Sequence, residues 1–155
     1  MNKRVNLIIG SGALGAYLSV ELLKKGEKVI VTSRSLNKNF TNYKYLKIQN
    51  QIKFEKLNTN NKNQIKKILY KYNPKKIFYF SGQSSLTKSI KNKKETLSSH
   101  YGGTKNFLDI MIEQKLDTKF FKANSGYIFS PKNGLIHLKC KFSTNKNPYI
   151  KSQQR

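Results

Sequence analysis

The chain has 155 residues, with 31 Lys+Arg against 7 Asp+Glu and a formal net charge of +24, a length that fits one domain rather than two. No run of about 18 apolar residues occurs, which excludes a transmembrane helix. The single cysteine, Cys140, excludes an internal disulfide framework and a Cys-based zinc site.

In chain order, residues 5–9 read as a short, mostly apolar strand. Gly10-Ser11-Gly12-Ala13-Leu14-Gly15 follows at once, and then a helix with Leu14, Leu18 and Leu22 at i, i+4, i+8. Gly26 ends that helix, and residues 28–32 form a second strand. Residues 35–51 are polar and weakly patterned. Ile52, Phe54 and Leu57 suggest a third strand ending at Asn58. Ile65, Ile68, Leu69 and Tyr72 keep helical spacing until Asn73-Pro74 stops them. Residues 77–80 are a buried-type strand, with Ser81-Gly82-Gln83-Ser84-Ser85 as its exit loop. Leu97, Tyr101, Thr104, Leu108 and Met111 mark one face of a long helix, and residues 120–123 a fifth strand running into Asn124-Ser125. Strands alternating with helices imply a doubly wound parallel α/β sheet. Beyond Ser125, Asn133-Gly134 signals a turn before Ile136, Leu138, Cys140 and Phe142 at period two, a strand with Cys140 in the core. His100 and His137 stand alone in the sequence and read as surface or loop residues.

The strand–glycine turn–helix–strand unit gives the Gly10-x-Gly12-x-x-Gly15 spacing its meaning. Gly10 permits the tight turn, Gly12 lets backbone approach a diphosphate, and Gly15 lets the helix pack close to the strand. The helix N-terminus then offers free N–H groups and partial positive charge to phosphates. Where an NAD-selecting carboxylate would follow the second strand, the residues are Thr32-Ser33-Arg34-Ser35. Arg34 suits a 2′-phosphate, so NADP is expected ahead of NAD; the alternative is an ordinary cation on a basic surface. The other cations give no comparable signal. The chain holds 28 Lys and 3 Arg beside 17 Asn and 3 Ala, the bias an AT-rich coding sequence imposes. Base-reading surfaces favour the bidentate Arg fork, so specific nucleic-acid binding is not expected and a polyanion-binding role ranks last.

Five segments, in order, resemble the extended short-chain dehydrogenase/reductases that act on nucleotide-sugars, the NAD-dependent epimerase/dehydratase family, and within it most the GDP-mannose 4,6-dehydratases. They are the glycine turn with Ala16-Tyr17-Leu18; Asn73-Pro74 through the strand to Ser84; His100-Tyr101-Gly102-Gly103-Thr104 through Asp109; Lys122-Ala123-Asn124-Ser125 through Phe129; and Asn147-Pro148-Tyr149. The resemblance covers nearly the whole chain but only the first half of such an enzyme. It implies a Rossmann-type sheet that is incomplete, with the substrate domain absent and an uncovered fifth-strand edge. It also implies a nucleotide-sugar substrate, GDP-mannose favoured, a homodimer in the full-length form, and a cytoplasmic location.

By the same resemblance Tyr149 is the base that removes the sugar hydroxyl proton during hydride transfer, and Ser125 hydrogen-bonds the same oxygen. Gly10, Gly12, Ala13, Leu14, Gly15, Arg34, Asn58, Ser81 and Gly82 are the implied cofactor residues. Three departures qualify this. The family lysine that assists the tyrosine falls on Gln153, with Lys151 facing elsewhere and Arg155 the nearby cation. The dehydratase glutamate falls on Tyr127, a feeble substitute for eliminating water. The adenine-side aspartate falls on Asn58, a mild exchange. The glycine turn also differs, since extended members usually show Gly-x-x-Gly-x-x-Gly. The chain is therefore expected to be an NADP-dependent dehydratase (C4 oxidation, then elimination), or else an epimerase/reductase or a non-catalytic NADP-binding remnant.

Overall fold

Runs such as Asn6-Leu7-Ile8-Ile9 and Val29-Ile30-Val31 carry no polar face, and the fold uses them accordingly. In the computed structural model, which describes residues 5–37, 39–131, 133–137 and 139–154, β1 (Asn6–Ile9) and β2 (Val29–Ser33) are buried at every residue. Strands with helices on both sheet faces must be apolar throughout. With β3 (Lys53–Lys56), β4 (Lys76–Tyr79) and β5 (Lys119–Lys122) they make a five-stranded sheet in the order β3-β2-β1-β4-β5. Every neighbouring pair is parallel, with Ile8 opposite Val31 on one side and Phe78 on the other. The Rossmann-type sheet expected from the alternation of elements is present.

Alternation along β1 divides the core. Leu7 and Ile9 join Ile65, Leu69, Ile77, Phe107 and Ile110 on one face, beneath α3 (Lys62–Tyr72) and α6 (Gly103–Glu113). Ile8 faces the other way with Ala16, Leu22, Val31 and Tyr43, beneath α1 (Ala13–Lys24) and the short α2 (Thr41–Tyr45). Asn61 caps α3 by accepting from the Gln64 N–H, and Asn73 ends it in the left-handed conformation.

Several expectations need correcting. The face of α1 turned to the sheet is Gly15, Ala16, Ser19 and Leu22, and Leu14 points to solvent; small residues let the helix lie close. The long helix expected around residues 97–111 is α4 (Leu86–Lys91), α5 (Lys93–Leu97), a π-helical turn (Ser98–Gly102) and α6. Its buried row is Thr96, His100, Gly103, Phe107 and Ile110, one residue off most of the expected row; Met111 is buried as expected, and Leu108 is exposed. The period-two strand over 136–142 does not form. Among the described residues β6 (Phe129–Ser130) pairs antiparallel with β7 (Lys141–Phe142), and the Cys140 N–H donates to the His137 carbonyl. Ile136 and Phe142 are exposed and Cys140 is only half-buried, because no second layer covers that ribbon; Leu138 lies outside the described residues. The chain continues into α7 (Pro148–Gln154). Among the described residues no helix is long and apolar enough to cross a membrane.

Candidate functional site

Strand order reverses between β1 and β4, and open parallel sheets hold ligands in the crevice at such a point. A pocket of about 320 Å³ lies there, walled by Gly10, Ser11 and Gly12 after β1, Thr32, Ser33 and Arg34 after β2, Asn58 to Asn60 after β3, and Ser81 to Ser84 after β4. Parallel strands bring their C-terminal ends to one edge, so four sequence-distant loops converge on it.

The glycine turn has physical reasons for its composition. Gly10 has φ +108°, and a Cβ there would sit 3.1 Å from the Phe80 backbone. A Cβ on Gly15 would lie 2.7 Å from the Gly10 carbonyl oxygen and 3.1 Å from Ile8 Cγ2, so only glycine allows α1 this approach. Gly12 differs: a Cβ there meets nothing within 4 Å and would project into open space beside the pocket. Gly12 also caps α1 with no side-chain hydrogen bond, and the first turn holds no acid. The leading N–H groups of α1 are thus left for an anion. The residues present fit a diphosphate. Ala13 and Leu14 contribute no wall, Leu14 being 66% exposed, and Gly15 is buried beneath the turn.

Arg34 lines the pocket, but not alone. Glu95, from α5, accepts from Arg34 Nη1 at 3.0 Å, and both side chains line the cavity. At 72% and 47% side-chain exposure such a pair contributes about 1 kcal/mol at most, so either group yields to a stronger partner. The sequence offered a faint signal for Glu95: it is the one acid in the basic stretch Lys91-Asn92-Lys93-Lys94-Glu95. Asn58 also lines the pocket, its Oδ1 accepting from the Asn60 N–H at 3.0 Å.

The residues assigned to chemistry lie beyond this pocket. Ser125 and Tyr127 line a second, more apolar pocket of about 480 Å³ with Phe129, Ile136 and Ile150. The Ser125 hydroxyl accepts from the Tyr127 N–H at 3.3 Å, capping a 3-10 turn over Gly126–Ile128. Tyr149 opens α7, its ring edge-on to His100 with centroids 5.4 Å apart, and lines neither pocket. Gln153, one turn on, is buried. Its Oε1 accepts from Lys122 Nζ at 2.8 Å and its Nε2 lies 3.0 Å from His100 Nδ1. His100 is therefore not a surface residue: it is 6% exposed, and its Nε2 sits 2.7 Å from the Gln83 carbonyl. Burial lowers its pKa from the ordinary value, the Gln83 bond opposes that, and the charge of Lys122 adds to it. Burial likewise lowers that of Lys122. Nothing in the sequence singled out Lys122 among 28 lysines, whereas its place at the end of β5 does. Arg155 lies outside the described residues.

Comparison with known proteins places this arrangement. The family model described as GDP-mannose 4,6 dehydratase matches residues 7–149. The chain belongs to that family. It is 29% identical over 125 residues to CDP-paratose 2-epimerase of Salmonella typhi, covering 80% of this chain and 35% of that protein. It is 25% identical over 118 residues to the bifunctional protein gal10 of Schizosaccharomyces pombe, covering 75% and 16%. Its fold matches the UDP-glucose-4-epimerase of Stenotrophomonas maltophila solved with bound NAD and formylated UDP-arabinopyranose, with TM-score 0.83, 15% identity, 97% of this chain and 46% of that one. The UDP-glucose 4-epimerase of Bifidobacterium longum, in complex with NAD+ and UDP, gives TM-score 0.82 at 18% identity, covering 97% and 46%. The chain thus spans about a third or less of these curated relatives and under half of these solved structures.

Proposed function

We propose that this chain is the dinucleotide-binding part of a nucleotide-sugar dehydratase or epimerase and holds NAD(P) in the pocket at the β1/β4 reversal. The observation that carries the reading is the uncapped N-terminus of α1 behind Gly12, opening onto a cavity at the C-terminal strand ends. The pyrophosphate would lie against the first N–H groups of α1, and Asn58 offers an amide on the adenine side. Arg34 favours NADP by pairing with a 2′-phosphate, while Glu95, able to accept from a ribose 2′-hydroxyl, keeps NAD in play. A bound nicotinamide supplies a hydride acceptor. With it bound, Tyr149 as the phenolate would take the sugar hydroxyl proton as the carbon-bound hydrogen leaves as hydride to the nicotinamide, and the Ser125 hydroxyl would donate to the same oxygen, with GDP-mannose the favoured sugar nucleotide. Tyr127 in place of a carboxylate favours oxidation and epimerisation over elimination.

A second reading, a binding module without chemistry, is favoured by Gln153. Its amide is engaged by Lys122 and His100 and carries no charge to Tyr149.

Titration calorimetry with NAD and NADP tests the cofactor reading. Gly12→Val should lower affinity for both by at least about tenfold, equivalent to about 1.4 kcal/mol, since its side chain enters the space left for phosphate. Glu95→Gln should shift preference toward NADP by freeing Arg34. Unchanged affinity in Gly12→Val would remove the cofactor reading. Adding GDP-mannose or UDP-glucose with the cofactor and following nicotinamide absorbance separates the enzyme from the binding module.

A further inference from the structure

His100 occupies the π-helical turn Ser98–Gly102, an insertion of the kind found mostly at functional sites. Its ring bridges two walls. One nitrogen reaches the Gln83 carbonyl in the loop that lines the first pocket, and the other reaches Gln153 on α7, the helix that carries Tyr149. The contact is close on both sides. Gly82 has φ +152°, and a Cβ there would run into the imidazole, while Tyr149 stands edge-on to the same ring.

The hydrogen positions follow from the two ends of the chain of bonds. A lysine ammonium only donates, so the Gln153 atom 2.8 Å from Lys122 Nζ is the carbonyl oxygen. The amide NH2 must then face His100, and Nδ1 must accept from it at 3.0 Å. Nε2 is left with the proton and donates to the Gln83 carbonyl at 2.7 Å. Each bond has one donor and one acceptor: the ammonium of Lys122, which only donates, and the Gln83 carbonyl, which only accepts, fix the same direction from the two ends.

We propose that Lys122, Gln153 and His100 form a positioning relay that fixes the pocket loop at Gln83 against α7, holding His100 as the neutral Nε2–H tautomer. Its link to ligand binding rests on the first pocket being a dinucleotide site. A second proton on Nδ1 would set donor against donor at Gln153, and turning the amide would set its NH2 against the ammonium of Lys122. The groups facing the imidazole offer no compensation. They are Lys122 from β5, Tyr149 from α7, and Tyr79 of β4, whose hydroxyl donates to the neighbouring Ser99 carbonyl. The loop at Gln83 presents only its carbonyl. Among the described residues no carboxylate pairs with His100 or Lys122.

The test uses the whole chain, with nitrogen-15 NMR of the imidazole and calorimetric titration of NAD and NADP from pH 7.5 down to about 5, a range chosen to bracket the ordinary histidine pKa. Wild type should show a protonated Nε2 and bare Nδ1 at neutral pH, and should lose affinity as acid protonates His100. Lys122→Met should keep the Nε2–H tautomer, which the Gln83 carbonyl holds, but free the Gln153 amide and weaken binding by about fivefold to tenfold, the worth of one ordinary hydrogen bond. It should also blunt the acid loss, because with the ammonium gone the Gln153 amide can turn its oxygen toward a protonated Nδ1. Lys122→Arg, still a donor-only cation, should keep the wild-type tautomer and affinity. An Nδ1–H tautomer in wild type overturns the proposal. So does a Lys122→Met variant with affinity and acid loss unchanged. If neither dinucleotide binds wild type, the pocket reading fails, yet the imidazole spectra of wild type and Lys122→Met still decide whether the relay exists.

Discussion

Ile77 and Phe142 are both apolar residues in short strands, yet Ile77 is fully buried and Phe142 is 60% exposed. Ile77 lies in β4, paired on both sides, by β1 and β5, and packed among Leu7, Leu69 and Phe107. Phe142 sits in a two-residue antiparallel ribbon and stacks on Phe129 at 5.6 Å. An apolar residue is worth what covers it. The parallel sheet has helices on both faces, and the β6–β7 ribbon presents Leu135, Ile136 and Phe142 to solvent.

Substitutions sharpen that contrast. The largest effect is expected for Ile77→Ala, a loss of about 2–5 kcal/mol from a buried methylene deletion. Phe142→Ala should cost about 1 kcal/mol or less, the range of an exposed aromatic pair. Urea titrations of the two variants check this, and equal losses would break the comparison. Next, Gly15→Ala should destabilise by about 1–3 kcal/mol through overpacking against the Gly10 carbonyl. Gly12→Val, with open space at its Cβ, should cost less, about 0.5–1 kcal/mol from the poorer N-cap. Two glycines of one turn would then separate, one serving the fold and one the pocket.

The smallest effect concerns pH. Burial pushes the Tyr43 hydroxyl up to about 12 from an ordinary 10.0. Because the folded state holds this proton more tightly, its contribution to stability is complete below pH 10 and is lost as pH rises through about 12. Tyr43→Phe should flatten the alkaline fall in stability measured by denaturation between those limits. It should not abolish it, since burial raises Tyr79 in the same direction.

Legibility in the sequence tracked this difference in cover. β1, β2, α3 and β4 announce themselves because each has the period or the unbroken apolar run its burial demands, and Asn73 marks the end of α3. The glycine turn and the β4 exit loop were readable as pocket walls for the same reason: backbone needs fixed their residues. Three features were not. The helix buries Thr96 and His100 in place of Leu97 and Tyr101, because polar and small residues there meet the β4 exit loop and Tyr79 rather than an apolar layer. The ribbon after Ser125 keeps strand periodicity without a layer to pack on. Glu95 and Lys122 act through partners 61 and 31 positions away in sequence, and only the closing of the sheet brings those pairs together.

The placement of β1 at the centre bears on how the polypeptide matures. Its first neighbour, β2, emerges soon after it, but its second, β4, is registered from Asn6 onto Lys76. Long-range parallel pairing is slow to form. A nascent chain in which residues near 79 have not yet left the ribosome therefore shows one flank of β1 unpaired, with Leu7 and Ile9 lacking Ile77 beside them. Chaperone demand during synthesis should be concentrated in that interval and should end once β4 docks.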